Sequence, residues 1–325
     1  MTATPPRQKK APQRYAIIGT GAIGGYYGAR LQQAGCDVHF LLRSDHGHVS
    51  HHGLTVDSVG GDFVLSEVQA YSDPAQMPPI DVAIIALKTT QNYLLPKLLP
   101  ALNDGAVVLT LQNGLGVEAD LARWVAPEQI LSGLCFICSN KVGPGHIRHL
   151  DYGKVLLGAY SATRQPRPIT ELMRAIAADF TQANIPIDLT DDLFIARWRK
   201  LVWNVPYNGL SVVLDATTTE MMADQGLRSL IAALMAEVVS AANAWGEKLS
   251  GGKNRGIPQA FITEMLSATA KMKPYRTSMK IDHDEGRPLE VEAILGNPVR
   301  AATEIGVAVP QMEMLYQQVK FLANR

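Results

Sequence analysis

The sequence has few cysteines, no excess of either charge and no long apolar run. Its 325 residues include only 3 cysteines, too few for a disulfide framework. Lysine plus arginine and aspartate plus glutamate are both 30, so a formal net charge of 0 offers no attraction for nucleic acid or an anionic membrane. No apolar run reaches the roughly 20 residues that span a bilayer. These absences predict a soluble, cytoplasmic protein without a nucleic-acid or membrane partner.

Two of the cysteines have the Cys-x-x-Cys spacing of redox and zinc sites. Cys135 and Cys138 lie in the apolar run "ILSGLCFICS", whose pattern is typical of a buried strand. Residues i and i+3 of a strand point to opposite faces, so the two thiols should diverge. The sequence offers no second pair of ligands for zinc. We therefore expect two core cysteines and predict no metal site.

The pattern along the chain predicts a tail and two domains. Residues 1–14, "MTATPPRQKKAPQR", are polar, basic and proline-rich without the apolar centre of a signal peptide, so we predict a disordered tail and no export. Residues 15–190 alternate apolar strand candidates with amphipathic stretches, as in a parallel sheet covered on both faces. Residues 191–325 keep a helical period, which predicts an all-helical domain of about 135 residues. The strand candidates are "YAIIG", "VHFLL", "DVAIIALK", "AVVLTLQ", "ILSGLCFI", "HIRHL", "KVLLG" and "IPIDLT".

A glycine-rich turn follows the first strand candidate and precedes a helical stretch. It consists of Gly19, Thr20, Gly21, Ala22, Ile23 and Gly24. In this context the G-x-G-x-x-G spacing predicts a dinucleotide-binding turn: the first glycine permits the turn, the second admits the pyrophosphate, and the third lets helix and strand pack. The helix N-terminus then faces the phosphates. The alternative is a glycine-rich turn without a ligand.

Arg43, at the end of the second strand candidate, indicates which dinucleotide is bound. An acid there would hold the ribose 2′-hydroxyl of NAD, whereas an arginine accommodates the 2′-phosphate of NADP. The guanidinium can also bind phosphate through two hydrogen bonds. Asp45 is the competing acid, but it lies beyond the strand end. We therefore predict NADP (NADPH) as the cofactor.

Further polar residues lie where ligands are expected. Lys88 and Asn113 follow two more strand candidates, although a solvated lysine and a turn asparagine before Gly114 are the simpler interpretations. Lys200, Asn204 and Asn208 share one helix face among apolar neighbours, which indicates the polar wall of a cleft. The alternative is a solvent-facing stripe, to which Arg197 and Arg199 could belong.

A cluster of histidines follows Arg43 in the segment "HGHVSHHG". Histidine clusters can bind metal, but no acid or thiol completes a coordination set nearby. We predict an exposed loop at His46, His48, His51 and His52.

Together these motifs resemble those of the ketopantoate reductase (2-dehydropantoate 2-reductase) family. The resemblance covers nearly the whole chain after the tail and rests on "GTGAIGG", Arg43, "LKTTQ", "QNGLG", "RKLVWNVPYN", "RTSM" and "LEVEAILG". It implies a Rossmann-type α/β domain followed by an all-helical domain like that of 6-phosphogluconate dehydrogenase. It also implies NADPH-dependent reduction of a 2-oxo acid in pantothenate biosynthesis.

The resemblance implies a role for each matching residue. Lys200 corresponds to the proton donor, and Glu290 to a catalytic glutamate near the nicotinamide ribose and the substrate. Lys88 corresponds to a cofactor-side lysine, and Asn113 to an asparagine near both nicotinamide and substrate. The remaining substrate-binding positions are Asn204, Asn208 and Ser278.

The sequence departs from the family at several points, so its substrate is less well specified than its chemistry. Pro206 should kink the helix that carries Lys200 and so affects the orientation of Asn208. Thr218 stands where the family often has another substrate asparagine. The stretch after Glu290, "VEAILG", is more apolar than in the pantoate-forming proteins of this family.

Two alternatives stay open. The chain could reduce a different 2-oxo or 3-oxo acid on the same scaffold, or it could be a non-catalytic NADP sensor, against which Lys200 and Glu290 argue. A homodimer is compatible with the sequence, but no pattern specifies an oligomeric state.

Overall fold

Continuously apolar segments form a ten-stranded sheet in the first half of the chain. The computed structural model describes residues 13–251 and 255–325. Its strands are β1 (Arg14–Ile18), β2 (Asp37–Leu41), β3 (Leu54–Ser58), β4 (Phe63–Leu65), β5 (Gln69–Tyr71), β6 (Ile80–Ile85), β7 (Leu102–Thr110), β8 (Ile130–Gly143), β9 (His146–Ala159) and β10 (Ile187–Thr190). The predicted tail falls mostly on residues 1–12, outside the described residues, and its last residue, Arg14, begins β1.

The strands that position the glycine turn are parallel. The order across the sheet is β4-β3-β9-β8-β7-β6-β1-β2-β5, with β10 paired to β9. The run from β5 to β8 is parallel at every pair. The carboxyl ends of β1, β2, β6 and β7 therefore meet at one edge, where open α/β sheets bind ligands.

The other part of the sheet corrects the prediction of a purely parallel sheet. β8 and β9 pair antiparallel over nearly their whole length, and so do β3 and β4. Two residues, Pro144 and Gly145, separate β8 from β9, and so short a connection can join only antiparallel strands. The segments "HIRHL" and "KVLLG", predicted as two strands, are one strand, and the sequence patterns did not indicate β3, β4 or β5.

Helices connect several of the strands in the first half of the chain. They are α1 (Ala22–Gln33), α2 (His46–His52), α3 (Leu95–Leu98), α4 (Val117–Leu121) and α5 (Glu171–Gln182). The histidine segment is α2 and not the predicted loop, although most of its residues are exposed. No group of three or more His, Cys, Asp or Glu in the described ranges could hold a metal ion.

The second half consists of helices and connecting loops, with no strand among its described residues. Its helices are α6 (Leu193–Val213), α7 (Thr218–Ala223), α8 (Gln225–Ser250), α9 (Ala260–Ala270), α10 (Ser278–Asp284), α11 (Asn297–Glu304) and α12 (Pro310–Ala323), and a π-helical turn (Glu292–Gly296) leads into α11. The short helices α7 and α10 were not indicated by the periodicity. The Rossmann-type domain followed by a helical domain confirms the predicted fold class.

Helix α8 corrects the expectation that no apolar run has spanning length. By length and composition alone, this helix could cross a membrane, and it is the one such helix within residues 13–251 and 255–325. Its buried face includes Ile231, Leu234 and Val238, which belong to the core of the helical domain. A helix at the centre of a protein core passes the same test.

Candidate active site

A cleft of about 1280 Å³ lies between the strand ends of the sheet and the helical domain. Its wall includes residues from both halves of the chain. Among them are thirteen of the fourteen predicted site residues: Gly19, Thr20, Gly21, Ala22, Ile23, Arg43, Lys88, Asn113, Lys200, Asn204, Asn208, Ser278 and Glu290. Gly24 lies behind this wall, where α1 packs on β1.

A side chain would have a different effect at each of the three glycines of the turn. Gly19 has a φ of +101°, and a Cβ there would lie 2.8 Å from the backbone nitrogen of Leu87. A Cβ on Gly24 would lie 2.3 Å from the carbonyl oxygen of Gly19. A Cβ on Gly21 would meet no atom within 4 Å, so the backbone is open to the cleft there. This geometry fits a pyrophosphate at Gly21 and the N-terminus of α1.

Arg43 and Asp45 differ sharply in their surroundings. β2 ends at Leu41, so Arg43 follows the strand by two residues; its side chain is exposed, with no ion-pair or hydrogen-bond partner in the described part of the chain. Asp45 is buried and pairs with Lys141 at 2.5 Å, and it accepts the backbone N–H of Gly145 at 2.9 Å. Burial opposes its charge, but these partners hold the pKa of Asp45 below its ordinary value. Arg43 is therefore the residue free to bind a ligand.

Lys200 is a buried ammonium at the wall of the cleft. Its Nζ donates to Asn113 Oδ1 at 2.6 Å and to the carbonyl oxygen of Cys135 at 2.7 Å. Burial is the main cause that lowers the pKa of Lys200 to about 8; Arg197 acts in the same direction, and Cys135 and Glu290 oppose it. A lysine with a pKa near neutrality can serve as a general acid.

Asn204 and Asn208 extend the polar face of α6 beyond Lys200. Both are buried, and α6 continues through Pro206 to Val213 as a single helix. The amide nitrogen of Asn208 donates to the carbonyl oxygen of Asn204 at 3.1 Å, and its oxygen accepts the N–H of Met279 at 3.3 Å. These bonds orient the Asn208 side chain after the proline and tie α6 to α10.

An ion-paired cluster joins the two halves of the chain beside the cleft. Lys88 Nζ lies 2.5 Å from Asp282 and 3.5 Å from Glu290. Glu290 also accepts from the backbone and the hydroxyl of Thr89, at 2.8 and 2.9 Å. Burial opposes the charge of Lys88, but the two carboxylates outweigh it and raise its pKa, so Lys88 stays a cation in the cleft.

Ser278 and Thr218 have different positions in the structure. Ser278 begins α10 and lines the cleft. Thr218 is buried and donates through its backbone N–H and its hydroxyl to the carbonyl oxygen of Tyr275, at 3.1 and 3.3 Å. It is not part of the cleft wall, and its hydroxyl is already committed to that carbonyl.

The sequence patterns missed several residues that organise the site. Arg197 was a candidate for a solvent-facing stripe, but only 3% of its surface is exposed, whereas Arg199 is exposed. The signal was the spacing, because Arg197 precedes Lys200 by three residues and so shares its helix face. Asp282 lies in a helix that the periodicity did not indicate.

Apolar side chains line the cleft as well as the polar face of α6. Phe261, Met265 and Ala268 of α9 line the cleft, as do Met272 and, from α6, Trp203. Their spacing along α9 places them on one face of that helix. The cleft therefore pairs a polar face that can bind a carboxylate and a carbonyl with an apolar face that suits a hydrocarbon side chain.

The two cysteines of the Cys-x-x-Cys segment are both buried in β8, and both border the cleft. All three cysteines of the chain are free. Burial raises the pKa of Cys138 to about 11 and also raises the pKa of Cys135. Both are thus held as thiols, the unreactive form.

Comparisons with known proteins find one family across both halves of the chain. A family model described as "Ketopantoate reductase PanE/ApbA" matches residues 15–162. A second, "Ketopantoate reductase PanE/ApbA C terminal", matches residues 192–323. The first match ends just after β9 and the second begins just before α6, so residues 163–191, which include α5 and β10, lie between them.

Individual relatives are similar over nearly their full length. The chain is 57% identical to a 2-dehydropantoate 2-reductase of Nostoc sp. over 315 residues, 96% of each chain. The crystal structure of a 2-dehydropantoate 2-reductase from Geobacter metallireducens superimposes with a TM-score of 0.89 at 41% identity, covering 95% of this chain and 99% of that one. One from Methylococcus capsulatus has a TM-score of 0.83 at 32% identity, covering 96% and 97%.

Proposed function

The chain belongs to the ketopantoate reductase family of dinucleotide-dependent oxidoreductases, and we propose that it reduces 2-dehydropantoate to pantoate with NADPH. The observation that carries this proposal is the buried Lys200 ammonium, which lies against Asn113 in a cleft that the glycine turn also lines. A proton donor and a dinucleotide turn in one cleft are the two requirements of a carbonyl reductase.

The cofactor is assigned to the strand ends of the first domain. Gly21 leaves room for the pyrophosphate, and the guanidinium of Arg43, which has no partner among residues 13–251 and 255–325, suits the 2′-phosphate that distinguishes NADPH from NADH. Lys88, which follows β6 and pairs with Asp282 and Glu290, is assigned to the cofactor side of the cleft. When bound, NADPH supplies the hydride that the carbonyl carbon accepts.

Lys200 provides the proton for the reduction and the positive charge that stabilises the transition state. Negative charge develops on the carbonyl oxygen during reduction, and the Lys200 ammonium stabilises it and then donates its proton. Glu290, whose carboxylate faces Lys88 and is fixed by Thr89, is assigned next to the nicotinamide ribose and the substrate.

Substrate orientation is assigned to the asparagines and the serine. Asn113 accepts a hydrogen bond from Lys200 through its oxygen, so its amide nitrogen can donate into the cleft. Asn204, Asn208 and Ser278 line the same wall and can hold the carboxylate and hydroxyl of the substrate. Holding the carbonyl in line with the donor contributes to the rate because fewer orientations must be searched.

The apolar wall favours one second candidate, reduction of another 2-oxo acid on the same scaffold. Trp203, Phe261 and Met265 provide more hydrocarbon surface than a small hydroxylated side chain needs. A 2-oxo acid with a larger apolar side chain would bury more of it.

The test is an NADPH-oxidation assay of the purified protein across 2-oxo acids that include 2-dehydropantoate. We expect 2-dehydropantoate to have the highest kcat/KM. A higher value for a larger apolar 2-oxo acid would support the second candidate. Tight NADPH binding without turnover of any acid would indicate the sensor instead.

A homodimer and a cytoplasmic location also stay predictions. Size-exclusion chromatography with light scattering tests the oligomeric state, and fractionation of cells tests the location.

A further inference from the structure

The loop that carries Asn113 joins β7 to α4 without regular secondary structure, and its ends are held by Gln112, which donates to Asn92, and by Leu115, which donates to the carbonyl oxygen of Ala293. It leaves β7 at Thr110 and passes through Gly114 and Gly116, whose φ angles are +99° and +83°. Glycine permits these conformations but supplies no side chain to fix them. Asn113 nevertheless has to stay within hydrogen-bonding distance of Lys200, on a helix of the other domain.

Arg197 binds this loop on both sides of Asn113. Its Nη1 donates to the carbonyl oxygen of Gln112 at 2.8 Å and to that of Gly114 at 3.1 Å. Because these carbonyls flank Asn113 in the chain, the guanidinium fixes the backbone from which the amide projects.

The guanidinium is itself fixed by two further partners in the first domain. Its Nε donates to Glu118 Oε1 at 2.7 Å, and its Nη2 donates to the hydroxyl of Ser132 at 2.5 Å. Both Arg197 and Glu118 are buried, so the pair is little screened by solvent. Four acceptors around one planar group define its position more tightly than a lysine ammonium could.

Arg197 and Lys200 are three residues apart on α6, so the helix sets the distance between them. Because α6 carries both Arg197 and Lys200, and Arg197 binds the loop on both sides of Asn113, these contacts fix the position of Asn113 relative to Lys200. We propose that Arg197 is a positioning residue of the reduction, which holds the backbone on both sides of Asn113 and so sets its amide against the ammonium of Lys200. This inference rests on the proposed function, in which Lys200 is the proton donor.

The charge of Arg197 gives the same residue a second, measurable effect. Lys200 is faced by Cys135 from β8, by Arg197 from its own helix and by Glu290 from the second half of the chain. Burial is the main cause of its lowered pKa, and the Arg197 cation lowers it further. Replacing Arg197 with a neutral residue should therefore raise the pKa of Lys200. A substitution that keeps the positive charge but loses the hydrogen bonds should leave this pKa unchanged.

Two substitutions separate position from charge. Arg197→Lys keeps the cation but cannot reach four acceptors, so kcat should fall about tenfold to a hundredfold, as for other small misplacements of a catalytic group. NADPH affinity and the pH at which the rate falls should stay near those of the wild type. Arg197→Met should lose at least as much kcat and also move that pH upward.

Arg255→Met is the matched control. Arg255 binds Asp192 at 2.5 and 2.7 Å and the carbonyl oxygen of Arg164 at 2.7 Å, at the start of the same helix. It resembles Arg197 in its partners but does not line the cleft. We expect a lower unfolding temperature with kcat and its pH dependence unchanged.

A double-mutant cycle tests whether Arg197 acts through Asn113. In an Asn113→Ala background, Arg197→Lys should cost much less kcat than in the wild type, because residues that act as one unit are not additive. Equal costs in both backgrounds, a kcat within twofold of wild type for Arg197→Lys, or an equal loss in Arg255→Met would overturn the inference. Failure of the proposed function is distinguishable: there the wild type itself would not turn over, or Lys200→Ala would stay active.

Discussion

At the scale of single residues, the site depends on which charged groups are already paired. Asp45 is bound to Lys141 and Gly145, and Lys88 to Asp282, whereas the guanidinium of Arg43 has no partner in the described part of the chain. Charge-assisted hydrogen bonds to a ligand contribute most where the protein group is otherwise free. Arg43 is thus the residue whose loss should discriminate between the two nicotinamide cofactors.

Arg43→Ala should weaken NADPH binding and leave NADH binding nearly unchanged. A lost charge-assisted contact costs about 1.5–3 kcal/mol, or roughly one to two decades in affinity. Fluorescence titration with both cofactors measures this, with Arg174→Ala on the exposed face of α5 as the control. A wild type that already uses NADH as well as NADPH would contradict the assignment.

Lys200→Ala should abolish most of the turnover while NADPH still binds. The substitution removes the proton donor and the charge beside the developing oxyanion, and general acid catalysis alone contributes about 10²–10⁴-fold. The measurement is kcat beside an NADPH titration, and Lys97→Ala, an exposed lysine of α3, is the control. Turnover within a few-fold of wild type would remove Lys200 from the mechanism.

The reduction should lose rate as the pH rises above about 8. Burial lowers the pKa of Lys200 to about 8, so the ammonium that donates the proton is complete below that value and is lost above it. A profile of kcat/KM against pH from 6 to 10 tests this. A profile that stays level to pH 10 would mean that Lys200 has an ordinary pKa or no role in proton delivery.

At the scale of elements, the turn between β1 and α1 contains one glycine that is open to the cleft and another that is packed inside the fold. Gly21 and Gly24 are three residues apart, but Gly21 is open to the cleft and Gly24 is packed against Gly19 and Ile17. Under the proposed function, Gly21 makes room for the ligand, whereas Gly24 is required by the packing of α1 on β1.

Gly21→Val should prevent NADPH binding without unfolding the protein. Gly21 has a φ of −93° and a ψ of −154°, an extended backbone outside the left-handed region, and its Cβ would meet no atom within 4 Å. We expect the free energy of unfolding to change by less than about 0.5 kcal/mol. Its partner Gly24→Val should instead lose about 1–3 kcal/mol through overpacking. Calorimetry and NADPH titration of both variants decide this; equal stability losses would contradict it.

At the scale of the whole molecule, the two halves share one site and are joined by several direct contacts. Arg197 pairs with Glu118, Leu115 donates its N–H to the carbonyl oxygen of Ala293 at 2.8 Å, and Lys88 pairs with Asp282. Breaking a buried ion pair by moving one partner away is costly, because it leaves a charge uncompensated. The two domains should therefore unfold together.

This coupling can be observed with NADP⁺ and tryptophan fluorescence. Trp198, Trp203 and Trp245 lie in the helical half, and Trp124→Phe removes the one tryptophan of the first domain, to which the cofactor is assigned. NADP⁺ at 100 times its Kd should stabilise the protein by about 2.7 kcal/mol and raise the unfolding temperature that these tryptophans report. An unchanged tryptophan transition beside a shifted transition of the first domain would show that the halves unfold independently.

Much of this protein follows from its sequence alone. The glycine turn, the apolar strands and the periodic helices specify the α/β and helical halves, because local conformation and burial depend on residue type and spacing. The face with Lys200, Asn204 and Asn208 is likewise set by helical geometry, and all three line the cleft.

Only the tertiary structure decided which residues meet. The antiparallel turn of β8 onto β9, the pairing of Asp45 with Lys141 and the burial of Arg197 depend on contacts between segments far apart in the chain. From the sequence alone, Arg197 is predicted to lie at the surface. In the structure it is surrounded by a glutamate, a serine and two carbonyl oxygens of the other domain. Burial and charge pairing depend on which neighbours folding brings together, so a local sequence pattern does not predict them.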